Sequence, residues 1–208
     1  MGFVSVDRRG LALLVRIGCG VLAVLGLREL RRSKAEIRAL AELAAIDGLT
    51  GLANRREFDR VLAREVSRTE RSSESLSLIV FDVDHFKSIN DSRGHLAGDQ
   101  VLRSIGSVLA AAVRDMDMVA RYGGEEFAVI LPRCDQNDAI GVIERITGSL
   151  RRHDGLVGVT LSSGVATMPV NARDGRSLVA AADEALYESK RTGRNRYSVS
   201  AQRSCGGP

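Results

Sequence analysis

At 208 residues and 44% hydrophobic, with no Trp, the chain is long enough for one full core plus an extension, and Leu, Val, Ile and Ala must fill that core. Its formal charge of +4 and pI near 9.3 are unevenly spread: residues 1–40 hold eight Arg/Lys against three acids, and the rest 22 against 23. The near-neutral remainder excludes a nucleic-acid groove. Cys19, Cys134 and Cys205 are odd in number and lack metal-ligand spacing, which excludes a disulfide framework and reads as reduced, cytosolic-side thiols.

Residues 11–27 are apolar except for Arg16 and fall just short of the ~20 residues of a spanning helix. Arg8 and Arg9 precede them, and Arg28, Arg31, Arg32 and Lys34 follow. Two readings stand for segment 1–28: a single membrane anchor with Arg16 snorkelling from its near end, or a non-spanning helix or remnant of a longer chain. The flanking charges favour a cytoplasmic C-terminal side. In segment 29–46, Leu30, Ile37, Leu40 and Ala44 recur at 7-3-4 spacing, which reads as a short coiled-coil seam or as a solvated linker helix.

Within Asp47-Gly-Leu-Thr-Gly-Leu-Ala-Asn-Arg-Arg56, Asn54 caps a helix reaching about residue 70, and the charged run 68–74 reads as a loop. Residues 76–81 are almost unbroken in apolarity, the mark of a strand buried on both faces. Asp82 and Asp84 follow, and alternation puts both on one face. After Phe86-Lys-Ser-Ile-Asn-Asp91 and Gly94-His-Leu-Ala-Gly-Asp99, a helix buries Val101, Leu102, Ile105, Val108, Leu109 and Ala112 along one side. Strands at 118–122 and 126–131 flank Gly123-Gly124, read as a two-residue hairpin turn with φ > 0 at both positions. Asp135 caps a helix turning Ile140, Ile143, Ile146 and Leu150 inward. A strand at 156–168, a helix at 178–189 and an edge strand at 196–199 complete the pattern, and 201–208 reads as a disordered tail. Strands alternating with amphipathic helices around one hairpin give an α/β (α+β) sheet covered by helices.

Carboxylates at adjacent strand ends, beside a turn without side chains, suit magnesium, which takes one or two carboxylates plus substrate phosphates. The plainer reading of the turn is a hairpin with solvated acids. Taken together, Phe81-Asp-Val-Asp-His-Phe86 and Arg121-Tyr-Gly-Gly-Glu-Glu-Phe127 resemble the GGDEF family of diguanylate cyclases. The resemblance runs from about residue 47 to 197, and Gly-Gly-Glu-Glu-Phe at 123–127 stands for the family signature.

The resemblance implies a nucleotidyl-cyclase or palm-like βαββαβ sheet over 47–200, with an N-terminal helical extension whose coiled coil pairs two domains. It implies a nucleotidyltransferase that condenses two GTP into cyclic di-GMP and two pyrophosphates in a homodimer, with two Mg²⁺ (or Mn²⁺) ions per site. On this basis Asp82, the Val83 carbonyl and Glu125 are metal ligands. Glu126 supports them or serves as a base, because neighbouring strand residues face opposite ways. Lys190 and Arg194 contact β- and γ-phosphates, and Lys87 a further phosphate. Phe86, Gly123 and Gly124 belong to the substrate site, and Asn90 with Asp99 reads guanine through its N1–H and N2–H₂ donors. Arg114, Asp117 and the secondary Arg145 match a product-inhibition site. Arg93 departs from the aromatic or apolar residue common there, a matter of local packing. A cyclic di-GMP sensor on the same fold, or an enzyme making a mixed dinucleotide, are the competing readings. Intact signature residues and Asp99 respectively argue against them.

Overall fold

A computed structural model describes residues 45–201. The candidate anchor at 11–27, nearly all of the linker and the tail from 202 lie outside the described residues. Among those described, no helix is long and apolar enough to cross a membrane.

Asn54 opens helix α1 (Arg55–Ser72), its side-chain oxygen accepting from the Glu57 N–H at 3.0 Å. The helix continues to Ser72, past the expected end near residue 70, so only the last residues of the charged segment 68–74 form a loop. Glu65, buried against the body, pairs with Arg64 and Arg68, and left-handed Ser73 ends the run. Strand β1 (Leu76–Val83) is buried at every position. Helices α2 (Phe86–Arg93) and α3 (His95–Ala112) meet at Gly94, whose φ of 80° makes the corner. Then come β2 (Met118–Arg121), β3 (Glu126–Pro132) and α4 (Gln136–Arg151), the last opened by an Asp135–Asp138 capping box. On α4, Ala139 and Val142 join Ile143, Ile146 and Leu150 in the core, while Ile140 is only half-buried. A single 3₁₀ turn (Asp154–Leu156) occupies the start of the stretch read as strand, so β4 spans only Leu161–Met168. Helix α5 (Gly175–Arg191) and β5 (Tyr197–Val199) end the fold.

The sheet order is β2-β3-β1-β4-β5, antiparallel except for the β4–β5 pair. Period-2 alternation splits the core in two. Ile79, Phe81 and Val83 of β1 face α3 and α4, whereas Leu76, Leu78 and Val80 face α1 and α5. The core sequence β1-α3-β2-β3-α4-β4 is the expected βαββαβ unit, with α2 inserted and α5-β5 appended. Gly164 of β4 lets α5 lie directly on the sheet. A Cβ there would strike the Ala182 carbonyl oxygen and the Leu186 nitrogen, both backbone. That contact sets where the C-terminal turn of α5 comes down.

Candidate active site

The site gathers where β1 ends and β3 begins. Asp82 and Glu126 are direct cross-strand partners, two like charges that would repel without a counter-charge. Lys190, in the last turn of α5, supplies it, with Nζ 2.7 Å from Asp82 Oδ2. Asp82 is 8% exposed, so this pair sits at the edge of the core. Glu125 lies in the loop just before β3, where its carbonyl accepts from the Val83 N–H at 3.2 Å. Burial pushes its carboxyl up. The neighbouring Asp82 and Glu126 charges add to that rise, and Lys190 opposes it. Asp82, Val83 and Glu125 thus come together at one point.

The hairpin loop differs from the expected two-residue turn. Tyr122 and Gly123 both donate backbone N–H bonds to the Glu126 carbonyl, at 2.8 and 3.2 Å, and neither Gly123 nor Gly124 takes a positive φ. Each glycine has its own reason. The Glu126 carboxylate folds over Gly123, where a Cβ would strike Oε2, whereas Gly124 faces open space. Because Glu125 lies off the strand, strand alternation does not hold the two glutamates apart. Glu126 turns into a cleft with Arg55, Asp183, Tyr187 and Lys190.

Asp84 has other work. Its carboxylate accepts from Thr160 Oγ1 and Ser162 Oγ, each at 2.6 Å, and from the Asn195 N–H at 3.0 Å. It latches the loop after α5 to the end of β1. Arg194 is exposed in that loop at φ 60°, its N–H bonded to the Ser189 carbonyl, and it makes no ion pair among the described residues. Lys87 is exposed on α2, and Phe86 beside it is buried. Asn90 of α2 presses its amide oxygen against Gly98, where a Cβ would collide with it, and Asp99 is the next residue of α3. Both members of the guanine pair of the sequence reading therefore stand near one helix junction.

Arg114, Asp117 and Arg145 converge at the C-terminus of α3. Arg145 Nε donates to the Ala112 carbonyl at 2.7 Å, and Asp117 Oδ2 accepts from the Arg114 N–H at 2.8 Å. Burial pushes the Asp117 carboxyl up, against the pull of both arginines.

One structural pair has no counterpart in the sequence reading. Arg121 donates from Nε and Nη2 to the Gly124 carbonyl, at 3.2 and 2.7 Å, and from Nη1 to both Asp47 oxygens at 3.3 Å. Burial would raise Asp47, but the Thr50 hydroxyl and N–H and the Arg121 guanidinium hold it below the usual carboxylate range. Both residues stand in the quoted motifs, yet nothing in their spacing pairs positions 74 apart.

Two carboxylates and one carbonyl fit a hard divalent cation whose remaining ligands are water and phosphate oxygens. Among the described residues no group of three His, Cys, Asp or Glu side chains could hold a metal, so this donor set would depend on substrate to complete it.

A palm-like α+β sheet with an acidic strand end beside a glycine loop defines a nucleotidyl-transfer class of domain. The family model for "Diguanylate cyclase, GGDEF domain" matches residues 44–196, and the chain belongs to this GGDEF family of diguanylate cyclases. It is 38% identical to diguanylate cyclase A of Treponema denticola over 169 residues, 77% of this chain and 46% of that protein. It is similar to the coiled coil and GGDEF domain of DgcB from Caulobacter crescentus in complex with c-di-GMP. That match has a TM-score of 0.71 and 35% identity, and covers 91% of this chain and 100% of the other. The active GGEEF domain of a diguanylate cyclase from Vibrio cholerae matches with TM-score 0.68 and 32% identity, over 73% of this chain and 99% of that one. The chain spans less than half the length of the curated relatives it matches.

Proposed function

We propose that the chain condenses two GTP molecules into cyclic di-GMP at the interface of two copies. The observation that carries this reading is the meeting of Asp82, Val83, Glu125 and Lys190 beside the open face of Gly124. Each 3′-oxygen forms a bond to the other nucleotide's α-phosphorus, the α–β phosphoanhydride bond breaks, pyrophosphate leaves, and the hydroxyl proton passes to a base. Bound Mg²⁺ or Mn²⁺, two per site, would neutralise phosphate charge and favour the deprotonated hydroxyl. Asp82, Glu125 and the Val83 carbonyl would hold the metal. Lys190 then leaves Asp82 for the β- and γ-phosphates, joined by Arg194 and Lys87. Glu126 supports the cluster or takes the proton. Asn90 and Asp99 read the guanine edge, Phe86 backs Gly98, and Gly123 and Gly124 let the triphosphate approach the backbone.

One domain holds one GTP, so cyclisation requires a second copy. Segment 29–46 pairs them as a coiled coil, segment 1–28 is the candidate membrane anchor, 47–200 is the catalytic domain and 201–208 the tail. Arg114, Asp117 and Arg145 bind product and slow turnover as it accumulates. Incubating the purified chain with GTP and magnesium, with products identified by mass, tests the reading. Cyclic di-GMP and pyrophosphate are expected, and specific activity should rise with protein concentration. A linear, mixed or absent product overturns it.

A further inference from the structure

A cavity of about 390 Å³ lies on the other face of the sheet from the Glu126 cleft, between α4, β4 and the start of β5. Its volume is that of a small-ligand pocket. The floor is apolar: Phe81 of β1, Leu161 of β4 and Ile143 of α4. Thr147, Ser163, Asn195 and Tyr197 add polar groups to the lining. Ser163 is directly opposite Phe81 in the β1–β4 pairing and shares the face of Leu161 and Val165. It is 2% exposed; its N–H donates to the Arg196 carbonyl and its own carbonyl accepts from Ser189. Its hydroxyl has no hydrogen-bond partner among the described residues and lines the cavity. That hydroxyl opens to the cavity, since no fully buried side-chain nitrogen or oxygen lacks a partner among the described residues, and an occupant must replace the water it bonds there.

The rim is charged. Arg151 and Arg196 outnumber Glu144, and none of the three makes an ion pair among the described residues. An apolar floor, hydroxyl groups in the lining and a net positive mouth suit an apolar body that carries a carboxylate.

One wall of this cavity is the loop that carries Arg194. Gly193, Arg194 and Asn195 take three successive positive φ values of 120°, 60° and 48°. Asn195 lines the cavity while its N–H holds Asp84 on the other side. Two non-glycine residues in the left-handed region persist only where their surroundings hold them. An occupant touching Asn195 and Arg196 therefore bears on the segment that positions Arg194.

We propose that this cavity is an effector site for a small aromatic carboxylate, and that its occupancy alters GTP affinity through the 193–196 loop. The regulatory half rests on the function proposed above; the binding half does not. The probe is 2-naphthoate, titrated into the full chain and followed by saturation-transfer NMR. Saturable binding is expected, about tenfold weaker in Thr147→Trp, which fills the cavity from α4, and several-fold weaker in Arg151→Glu. Uncharged 2-naphthamide should bind more weakly than the carboxylate. Circular dichroism checks that each variant folds, and Arg151→Glu, at an exposed position, decides the matter if Thr147→Trp does not. Absence of saturable binding, or undiminished binding in a folded variant, overturns the site. Saturating 2-naphthoate should also change the Kd of a non-hydrolysable GTP analogue, and linkage requires the reciprocal change. An unchanged GTP Kd overturns the effector role. Failure to bind the analogue at all overturns the functional reading and the effector role, while the naphthoate titration still answers for the site.

Discussion

Lys190 and Asp82 form an ion pair of 2.7 Å that joins the last turn of α5 to the end of β1. One partner is proposed to hold phosphate and the other metal, so the free enzyme keeps its two halves neutralised against each other. Asp82→Ala and Glu125→Ala are expected to abolish turnover and keep the fold. Lys190→Met should lower kcat/KM by about 10²-fold, the scale of one lost charge-stabilising group. Steady-state kinetics beside thermal melts check all three. Activity within tenfold of the parent in either carboxylate variant contradicts the assignment.

The Arg121 fork ties the glycine loop to Asp47. Arg121→Ala and Asp47→Ala should each lower stability and turnover, with a coupling of about 1 kcal/mol in a double-mutant cycle. Arg121→Lys should not restore activity, because an ammonium cannot bond the Gly124 carbonyl and both Asp47 oxygens together. Additive losses would show that the contact carries no coupling.

At Gly164 the backbone of α5 leaves no room for a methyl group. Gly164→Ala should cost about 1–3 kcal/mol by forcing the helix off the sheet. It should also reduce turnover by shifting Lys190. A urea midpoint equal to the parent's would mean that α5 moves freely.

Feedback is expected to depend on the cluster at the end of α3. Arg114→Ala should leave initial velocity nearly unchanged and remove inhibition by added cyclic di-GMP. Progress curves with and without added product decide it. Undiminished inhibition in the variant, or none in the parent, contradicts the feedback site.

Cys134 is buried, and its surroundings push the thiol from 9.0 up to about 12, through burial first and the nearby Asp138 and Asp117 charges next. The folded state keeps the proton that the unfolded chain releases near 9.0. The resulting stability is full below that pH and is lost as pH rises through about 12. At about pH 8 the native protein should leave Cys134 unlabelled by a thiol reagent, and denaturant should expose it. Mass spectrometry of the labelled peptides reads the result; native labelling at Cys134 contradicts the burial.

What was legible in the sequence was local. Asn54 and Asp135 announce their helices because a cap acts within three residues. The buried strand follows from the unbroken apolar run at 76–81, and the inner face of α3 from a period of 3.6. The α1 terminus is read about two residues early because a charged run reads as loop, whereas Arg68 at its start is a helical partner of Glu65. The glycine pair misled because the Glu126 carbonyl takes two N–H donors and forms a loop that needs no left-handed residue. Tertiary pairs such as Arg121–Asp47, Lys190–Asp82 and the Asp84 latch carry no spacing signal. Asp84 stands one alternation from Asp82 and yet is engaged in holding a loop.

Asn90 rests its amide oxygen on the bare Cα of Gly98, so the proposed base reader depends on a residue that touches no base. A methyl group at that position would displace the amide while leaving both reader side chains unchanged. Nucleobase choice in this chain could then drift through a neighbour, with the recognisable motif residues intact. Relatives that share Asn90 and Asp99 but carry a side chain at 98 are where altered substrate preference should be sought.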